Sequence, residues 1–293
     1  MFHFLIYLLL FFDSPPTDCK KQPAFIATVG FDVTKSALST SERTQMGLVL
    51  IEIDPNNLNA KRSKTYQHPS WDNAGYLGPL CIDQFGDAYV APVPMVNVLH
   101  NPAADQNTLY KIDGKTGEMR KMIALPMAAL PFQENAFGTL GMVYDCDNHT
   151  LYATSVAGSS RKEEKGRIFH IDIATQKVVS QIDSLDAMGI GIGFVGSEKR
   201  VFFGKTRTGE ICSVGLDLQG NFVGKPRIEL SLEGLGARGD DKARKIRFQS
   251  NGDMTVSGIE FYYNLTAPTE KQETVYTFRY NAQAGRWGLV NMQ

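Results

Sequence analysis

The amino-acid sequence predicts an all-β fold, a β-propeller built from four-stranded antiparallel blades. A short apolar segment that ends in Asp or Asn recurs along the chain, and its last residues are separated by 59, 59, 45 and 64 positions. A period in this range is typical of propellers and solenoids. Apolar and polar residues also alternate in short runs that are bounded by turn residues, which indicates strands rather than helices. The recurring segments end at Asp54, Asp113, Asp172, Asp217 and Asn281.

Each complete repeat divides into four strands, which we name A to D from the propeller axis outwards. Short turns join A to B and C to D, whereas longer loops connect B to C and D to the next A, apart from the tight B–C loop RTGE of the fourth repeat. The predicted strands are 78–83, 88–96, 108–113 and 118–126 in the second repeat, 141–145, 150–156, 167–172 and 177–183 in the third, 189–195, 200–206, 211–217 and 222–230 in the fourth, and 244–250, 254–261, 274–280 and 286–292 in the fifth.

The first repeat is incomplete. Residues 23–32 align with strand B of the second repeat, so the first blade has strands B, C and D but no strand A. The sequence therefore predicts five visible blades over residues 23–293, and a six-bladed parent ring that has lost a piece stays an alternative. Residues 1–22 are assigned to a leader that precedes the propeller.

The leader predicts export to the periplasm, the cell surface or the medium. Residues 4–12 are wholly apolar, but they are fewer than the roughly 20 residues that span a bilayer, and such a run is typical of a secretory signal. Cys19, followed by two lysines, resembles the lipidated cysteine of a Bacteroidetes-type lipoprotein, which implies a lipid anchor as the one membrane contact. The alternative is an apolar N-terminal strand. Cys81, Cys146 and Cys212 are either buried thiols or include one disulfide whose pair the sequence does not identify.

Charge excludes one class of partner. The chain has 30 Lys and Arg against 31 Asp and Glu, a formal net charge of −1. Nucleic-acid binding depends on a basic excess that neutralises phosphates, so nucleic acid is not expected as a partner. We expect a monomer.

A resemblance to known propellers lies in the A–B hairpins. Residues 82–91, IDQFGDAYVA, are similar to the D-x-x-G-[ND]-x-Y-V hairpin of the NHL and SMP-30-like propellers, and residues 144–153 and 248–257 are degenerate copies. The resemblance covers residues 23–293 at the level of the fold, which many functions share. It implies metal-dependent hydrolysis as a candidate activity, because SMP-30-like lactonases hold a divalent ion at the axis. The family's PNG-like and PDG-like motifs are absent from this chain.

The long loops share one end of the propeller, the top, where a rigid scaffold would present binding residues. Loops 67–78 and 130–141 align, each with an acidic residue followed by Asn-Ala, and loops 183–191 and 236–245 contribute further charges. Tyr262 and Tyr263 form an aromatic pair on the rim. The candidate ligand-binding residues are His68, Trp71, Asp72, Asn73, Gln133, Glu134, Asn135, Asp186, Asp240 and Asp241.

Two functions follow from these loops. The first is an exported, non-catalytic propeller that binds a small molecule, a glycan or a protein at the axial funnel, with Trp71 as an apolar platform. The alternative is a metal-dependent hydrolase of the lactonase or esterase type, in which Asp72 and Glu134 converge on calcium or another divalent cation, since such cations take oxygen ligands. Asp and Asn in such loops also cap their own turns, which requires no ligand.

Overall fold

The computed structural model describes residues 19–40, 45–53, 62–94, 98–132, 134–265 and 273–293. They form five antiparallel sheets, each with its strands in sequence order, and each sheet is one blade of a β-propeller. Blade 1 contains β1 (Ser36–Ser39), β2 (Val49–Ile53) and β3 (Arg62–Tyr66), and blade 2 contains β4 (Leu77–Ile82), β5 (Ala88–Pro92), β6 (Thr108–Ile112) and β7 (Met119–Ala124). Blade 3 contains β8 (Thr139–Asp145), β9 (Thr150–Ser155), β10 (Arg167–Asp172) and β11 (Lys177–Asp183). Blade 4 contains β12 (Ala187–Val195), β13 (Glu198–Lys205), β14 (Glu210–Leu216) and β15 (Phe222–Ser231), and blade 5 contains β16 (Lys242–Phe248), β17 (Met254–Ile259), β18 (Thr274–Asn281) and β19 (Arg286–Met292).

Helical structure in the described part of the chain is limited to the short helix α1 (Phe25–Thr28) and two single 3₁₀ turns, Asp72–Ala74 and Ala103–Asp105. None of the helices in the described residues is both long enough and apolar enough to cross a bilayer.

In blades 2, 3 and 4 the acidic residue that ends the repeated segment caps the turn between the third and fourth strands, whereas Asp54 lies outside the described residues. Asp113 Oδ1 accepts hydrogen bonds from the backbone N–H groups of Lys115 and Thr116, at 2.8 and 2.9 Å. Asp172 does the same in blade 3, and these bonds hold the pKa of both carboxyls below the usual range. Gly117 follows with φ +78°, a conformation that favours glycine. The repeated phrase is therefore a capped hairpin turn, as the period predicted.

The A–B hairpin of blade 2 depends on Asp83. Its Oδ1 accepts the backbone N–H groups of Phe85 and Asp87, and the Tyr89 hydroxyl donates to its Oδ2 at 3.0 Å. Gly86 has φ +94°, so the motif needs glycine there. The Asp, the Gly and the Tyr of this motif thus have local structural roles.

The first blade differs from the prediction in one element. Residues 23–32 do not form strand B, because Phe25–Thr28 is a helical turn closed by the bond from Val29 N to Phe25 O at 2.9 Å. A helical turn places the consecutive apolar residues Phe25 and Ile26 on one buried side, whereas a strand would point them to opposite faces. The first strand of this blade is β1, at Ser36–Ser39. The blade has three strands in the described residues, as predicted.

Four clusters of buried side chains join successive blades, and in the described part of the chain no such cluster joins blade 5 to blade 1. Typical members are Leu50 and Ile112 between blades 1 and 2, Tyr89 and Phe169 between blades 2 and 3, Tyr152 and Val201 between blades 3 and 4, and Phe202 and Tyr276 between blades 4 and 5.

The face of blade 5 turned away from blade 4 is polar. A row of paired residues crosses all four strands there, Arg247 to Thr255 to Thr277 to Asn291. These side chains are half-buried or exposed, whereas Met254, Val256 and Tyr276 are buried on the opposite face. Such a row suits water better than a further packed blade. The structure therefore shows five blades, and a six-bladed ring gains no support from it.

The N-terminal segment crosses the end of the propeller opposite the long loops. Cys19 forms a disulfide with Cys146, in the A–B turn of blade 3, across 127 positions of sequence. Lys21 N then donates to Asp83 O at 3.0 Å, and Phe25 N donates to Gly114 O at 3.0 Å, both in turns of blade 2. The structure thus places residues 19–22, assigned above to the leader, in contact with the propeller.

The other two cysteines in the described residues are not part of a disulfide. Cys81 and Cys212 are free thiols, and burial raises the pKa of Cys212 to about 11.

Candidate functional site

A large cavity lies along the propeller axis. Its volume is ≈ 1490 Å³, above the roughly 300–1,000 Å³ of most small-molecule sites. The innermost strand of every blade contributes to its wall, and it extends from the A–B turns at one end to the B–C loop of blade 5 at the other. We call it the axial cavity.

Most of the wall is apolar. Leu80 of blade 2, Met142 of blade 3 and Ile190 and Ile192 of blade 4 line it. The glycines between them reflect crowding near the axis, because a Cβ on Gly193 would lie 2.4 Å from the Phe248 ring. Residues 191–196, GIGFVG, have the G-x-G-x-x-G spacing, but they lie at the end of the inner strand β12, where their glycines allow close packing between blades.

Blade 5 supplies a cationic wall. Arg244, Lys245 and Arg247 of β16 all line the axial cavity, and all three are exposed. Glu273, at the start of β18, pairs with two of them, with Arg244 Nη1 at 2.5 Å and with Lys245 Nζ at 3.5 Å. These cations and the Ser257 hydroxyl hold the pKa of Glu273 below its usual value, although burial opposes them. The carboxylate is thus ionised at neutral pH.

The loop that follows β17 covers the top of the axial cavity. Its residues 260–262 line the cavity, and the next residue, Tyr263, anchors the loop. The Tyr263 hydroxyl donates to Asp186 Oδ2 at 2.6 Å and also contacts the Thr206 hydroxyl at 2.8 Å. Burial is the main cause of the raised pKa of Tyr263. The ring of Phe261 packs on Phe137 of blade 3. The loop is thereby fixed across blades 3 and 4.

Asp186, a predicted ligand-binding residue, is the centre of that anchor. It has no exposed surface. The Ser159 hydroxyl donates to its Oδ1 at 2.5 Å, Gly166 N donates to the same oxygen at 2.9 Å, and Arg207 Nη2 lies 3.2 Å from Oδ2. Its oxygens are occupied by the protein itself, so Asp186 holds loops together.

Asp241 and Asn135 have similar roles. Asp241 is fully buried and immediately precedes β16, as Asp186 precedes β12. Its carboxylate pairs with Arg238 Nε at 2.5 Å and accepts a hydrogen bond from the Tyr276 hydroxyl at 2.8 Å. Burial opposes the lowered pKa of Asp241, which its hydrogen bonds with Arg238 and Tyr276 produce. Asn135 Nδ2 donates to the carbonyls of Val156 and Ser159, at 2.7 and 2.9 Å.

Trp71 and His68 belong to the packing between blades 1 and 2. Trp71 has no exposed surface, and its indole N–H donates to Gly117 O at 2.7 Å. A side chain in this position cannot serve as a platform for a ligand at the axis. His68 Nδ1 contacts the Ser70 hydroxyl at 2.8 Å, and Ser70 Oγ accepts Met119 N from blade 2. Both residues therefore stabilise the blade contact.

The other predicted residues are exposed, and none of the nine predicted residues that the structure describes lines the axial cavity. The exposed ones are Asp72, Asn73, Glu134 and Asp240, and Gln133 lies outside the described residues. The structure gives the aligned loops different roles, since Asn135 is buried and Asn73 is exposed. No group of three or more His, Cys, Asp or Glu side chains within the described ranges is arranged to hold a metal ion.

The sequence interpretation missed the inner-strand residues, most of all Lys245 and Arg247. The sequence did indicate them, because the predicted inner strand RKIRFQS (244–250) carries three cations. The interpretation assigned Lys242, Arg244 and Lys245 to a loop at the top, and it gave no role to Arg247, which it had placed in the inner strand. Strand alternation places Lys245 and Arg247 on the same side of β16, and both residues line the axial cavity.

The comparisons with known proteins support the fold alone. No protein-family profile matches the sequence, and no curated protein matches it. Among solved structures, the hydrazine synthase of Kuenenia stuttgartiensis has a TM-score of 0.50 at 12% identity, over 87% of this chain and 62% of that one. A luciferin-regenerating enzyme has a TM-score of 0.49 at 9% identity, over 86% and 73% of the two chains. An exo-β-1,3-galactanase from Phanerochaete chrysosporium has 0.46 at 10% identity, over 88% and 66%.

Proposed function

We propose that this chain is an exported, non-catalytic propeller that binds a small organic ligand in its axial cavity. The observation that carries the proposal is the cavity itself, ≈ 1490 Å³ in volume, walled by apolar side chains on the inner strands and by cations on one blade. Ligand sites in proteins are concave and mostly apolar, with a few polar groups that fix orientation. The top loops hold the entrance in place through the Tyr263 anchor, and their exposed residues supply a rim for glycan or protein contacts.

The carboxylates that line the cavity favour binding over catalysis. Asp145 pairs with Lys199 at 2.5 Å, and Asp253 pairs with Arg279 at 2.7 Å. Glu260 accepts a hydrogen bond from the Tyr262 hydroxyl. A general base or a metal ligand needs oxygens that can reach substrate or ion, and these oxygens are engaged by neighbouring side chains. The hydrolase alternative has no comparable observation in its favour.

The disulfide supports export. Disulfides persist in oxidising compartments, so the bond from Cys19 to Cys146 is expected in an exported protein. The same sulfur of Cys19 cannot also carry the thioether of a lipid anchor. We therefore favour a disulfide-bonded protein without that anchor.

A substitution that fills the cavity tests the proposal. Ala37 of β1 lines the axial cavity and is exposed there, so Ala37→Trp adds a large side chain to the open space. Val179→Trp is the control, because Val179 is exposed on the outer strand of blade 3, away from the cavity. A chemically diverse library is screened by thermal unfolding, since a ligand that binds the native state raises the midpoint.

We expect compounds that raise the midpoint of the wild type and of Val179→Trp but not that of Ala37→Trp. Compounds that stabilise Ala37→Trp as strongly as the wild type would place the binding site elsewhere. A diverse library without any stabilising compound would overturn the proposal.

A further inference from the structure

We infer that the axial cavity selects an organic anion with an apolar body, such as a long-chain carboxylate, and that Arg247 binds the anionic group. This inference rests on the proposed function and narrows it to one ligand class. The cavity offers two kinds of wall, apolar strands from blades 2 to 4 and the cationic strand of blade 5. A molecule with one charged end and one apolar part matches both.

Arg247 differs from the other cations that line the cavity. Lys199 pairs with Asp145 and Asp147, and Arg279 pairs with Asp253. Arg244 and Lys245 share Glu273, as described above. The Arg247 side chain has no hydrogen-bond or ion-pair partner among the described residues, although the other three cations of its strand are paired. Its guanidinium is therefore available to a ligand.

A hydroxyl group stands beside that guanidinium. Thr255 is paired directly with Arg247 in the neighbouring strand, so the two side chains share a face of blade 5. Gln249 Nε2 donates to Thr255 Oγ1 at 2.8 Å. Because Thr255 Oγ1 accepts this bond, its own proton remains to be donated. A carboxylate at Arg247 would thus receive two guanidinium N–H groups, with the Thr255 hydroxyl on the same face of blade 5.

The local charge also favours an anion. Blade 5 contributes four cations at this wall and three carboxylates, which leaves one positive charge in excess; the cations are Arg244, Lys245, Arg247 and Arg279, and the carboxylates are Asp253, Glu260 and Glu273. An unbalanced charge in a partly enclosed cavity attracts ligands of opposite sign more strongly than it would in open water.

The opposite wall determines what the rest of the ligand must be. Leu80, Met142, Met188 and Ile192 line it. These side chains offer no hydrogen bonds to sugar hydroxyl groups. Removing a hydrocarbon chain from water against such a surface is favourable in proportion to the apolar area that is buried. An alkyl or ring system is therefore preferred over a polyhydroxylated body.

The test uses two probes with alkyl chains of similar length and opposite charge, decanoate and decyltrimethylammonium. Each is titrated calorimetrically into the full-length protein. We expect the wild type to prefer decanoate. Arg247→Gln should lower the affinity for decanoate by about tenfold to a hundredfold, the usual effect of losing a charged hydrogen-bond pair. It should not lower the affinity for decyltrimethylammonium. Arg286→Gln is the matched control, since Arg286 is exposed on β19 and does not line the axial cavity.

The outcomes separate this inference from the function on which it rests. If both probes bind the wild type with equal affinity, if Ala37→Trp abolishes both interactions and if Arg247→Gln changes neither affinity, the cavity binds ligands but the proposal of an anion site at Arg247 is wrong. If decanoate does not bind the folded wild type at all, the inference is overturned, while the library screen against Ala37→Trp decides the proposed function separately. Equal thermal midpoints for Arg247→Gln and Arg286→Gln exclude misfolding as the cause of a lost affinity.

Discussion

The disulfide between Cys19 and Cys146 should contribute a large share of the protein's stability. It fastens the N-terminal segment to blade 3, and that segment also bonds to two turns of blade 2. The bond closes a loop of 127 positions. The loop-entropy relation gives about 5 kcal/mol at 25 °C for a closure of this length, and measured disulfides typically contribute about 2–4 kcal/mol. We expect Cys19→Ser/Cys146→Ser to lose stability in that range.

Urea denaturation measures this loss. The wild type is unfolded with and without a reductant, beside the double variant under the same conditions. The reductant should lower the wild-type midpoint towards that of the variant, and it should leave the variant unchanged, because Cys81 and Cys212 are free thiols in both proteins. Thiol titration of the denatured, oxidised wild type should count two free thiols.

Two results would refute this reasoning. A wild-type midpoint that does not respond to reductant would show that the bond is absent or adds nothing. A mass for the exported protein that includes a lipid on Cys19 would show that the sulfur has the other fate that the sequence suggested.

Three further results are expected. Tyr263→Phe should lower the free energy of unfolding, measured in urea, by about 1.5–3 kcal/mol, because it removes the hydroxyl that donates to buried Asp186. The control Tyr262→Phe, at an exposed site, should change that free energy little. Equal effects of the two variants would contradict the role of Tyr263 as the anchor of its loop. Acid should destabilise the protein: the folded pKa of the turn-capping Asp113 is lowered, so its stabilisation is complete above the unfolded value of about 3.9 and is lost as pH falls through the folded pKa. A urea midpoint that stays constant from pH 7 to pH 2 would oppose this. Calcium, magnesium, manganese or zinc added after EDTA should give no metal-specific rise in thermal midpoint, because the proposed metal ligands Asp72 and Glu134 do not line the axial cavity. A rise that Asp72→Asn abolishes would restore the hydrolase alternative.

The hairpins were predictable because their chemistry is local. Asp113 and Asp83 cap turns within four residues of themselves, and the glycines beside them supply the positive φ that these turns need. Strands, turns and the period of the fold follow from such signals. The exception is α1, where two consecutive apolar residues, Phe25 and Ile26, fit a buried helical turn and were read as part of an alternating strand.

The site was less predictable because its side chains depend on distant partners. The ligand candidate Asp186 is bonded to Tyr263, which lies 77 positions away, and Trp71 is bonded to Gly117 across 46 positions. Nothing near either residue in the sequence distinguishes a buried, bonded group from an exposed one. The importance of Arg247 depends in turn on a polar face of blade 5 that packs against no other blade in the described part of the chain.

Hydrogen–deuterium exchange with a bound ligand is the sharpest test of ligand binding in the axial cavity. A compound that stabilises the wild type but not Ala37→Trp is added, and exchange is compared with that of the free protein. If the ligand lies at the propeller axis, protection should concentrate in the inner strands, above all in Ala187–Val195 and Lys242–Phe248. Protection confined to outer strands, such as Phe222–Ser231 or Arg286–Met292, would contradict binding in the axial cavity.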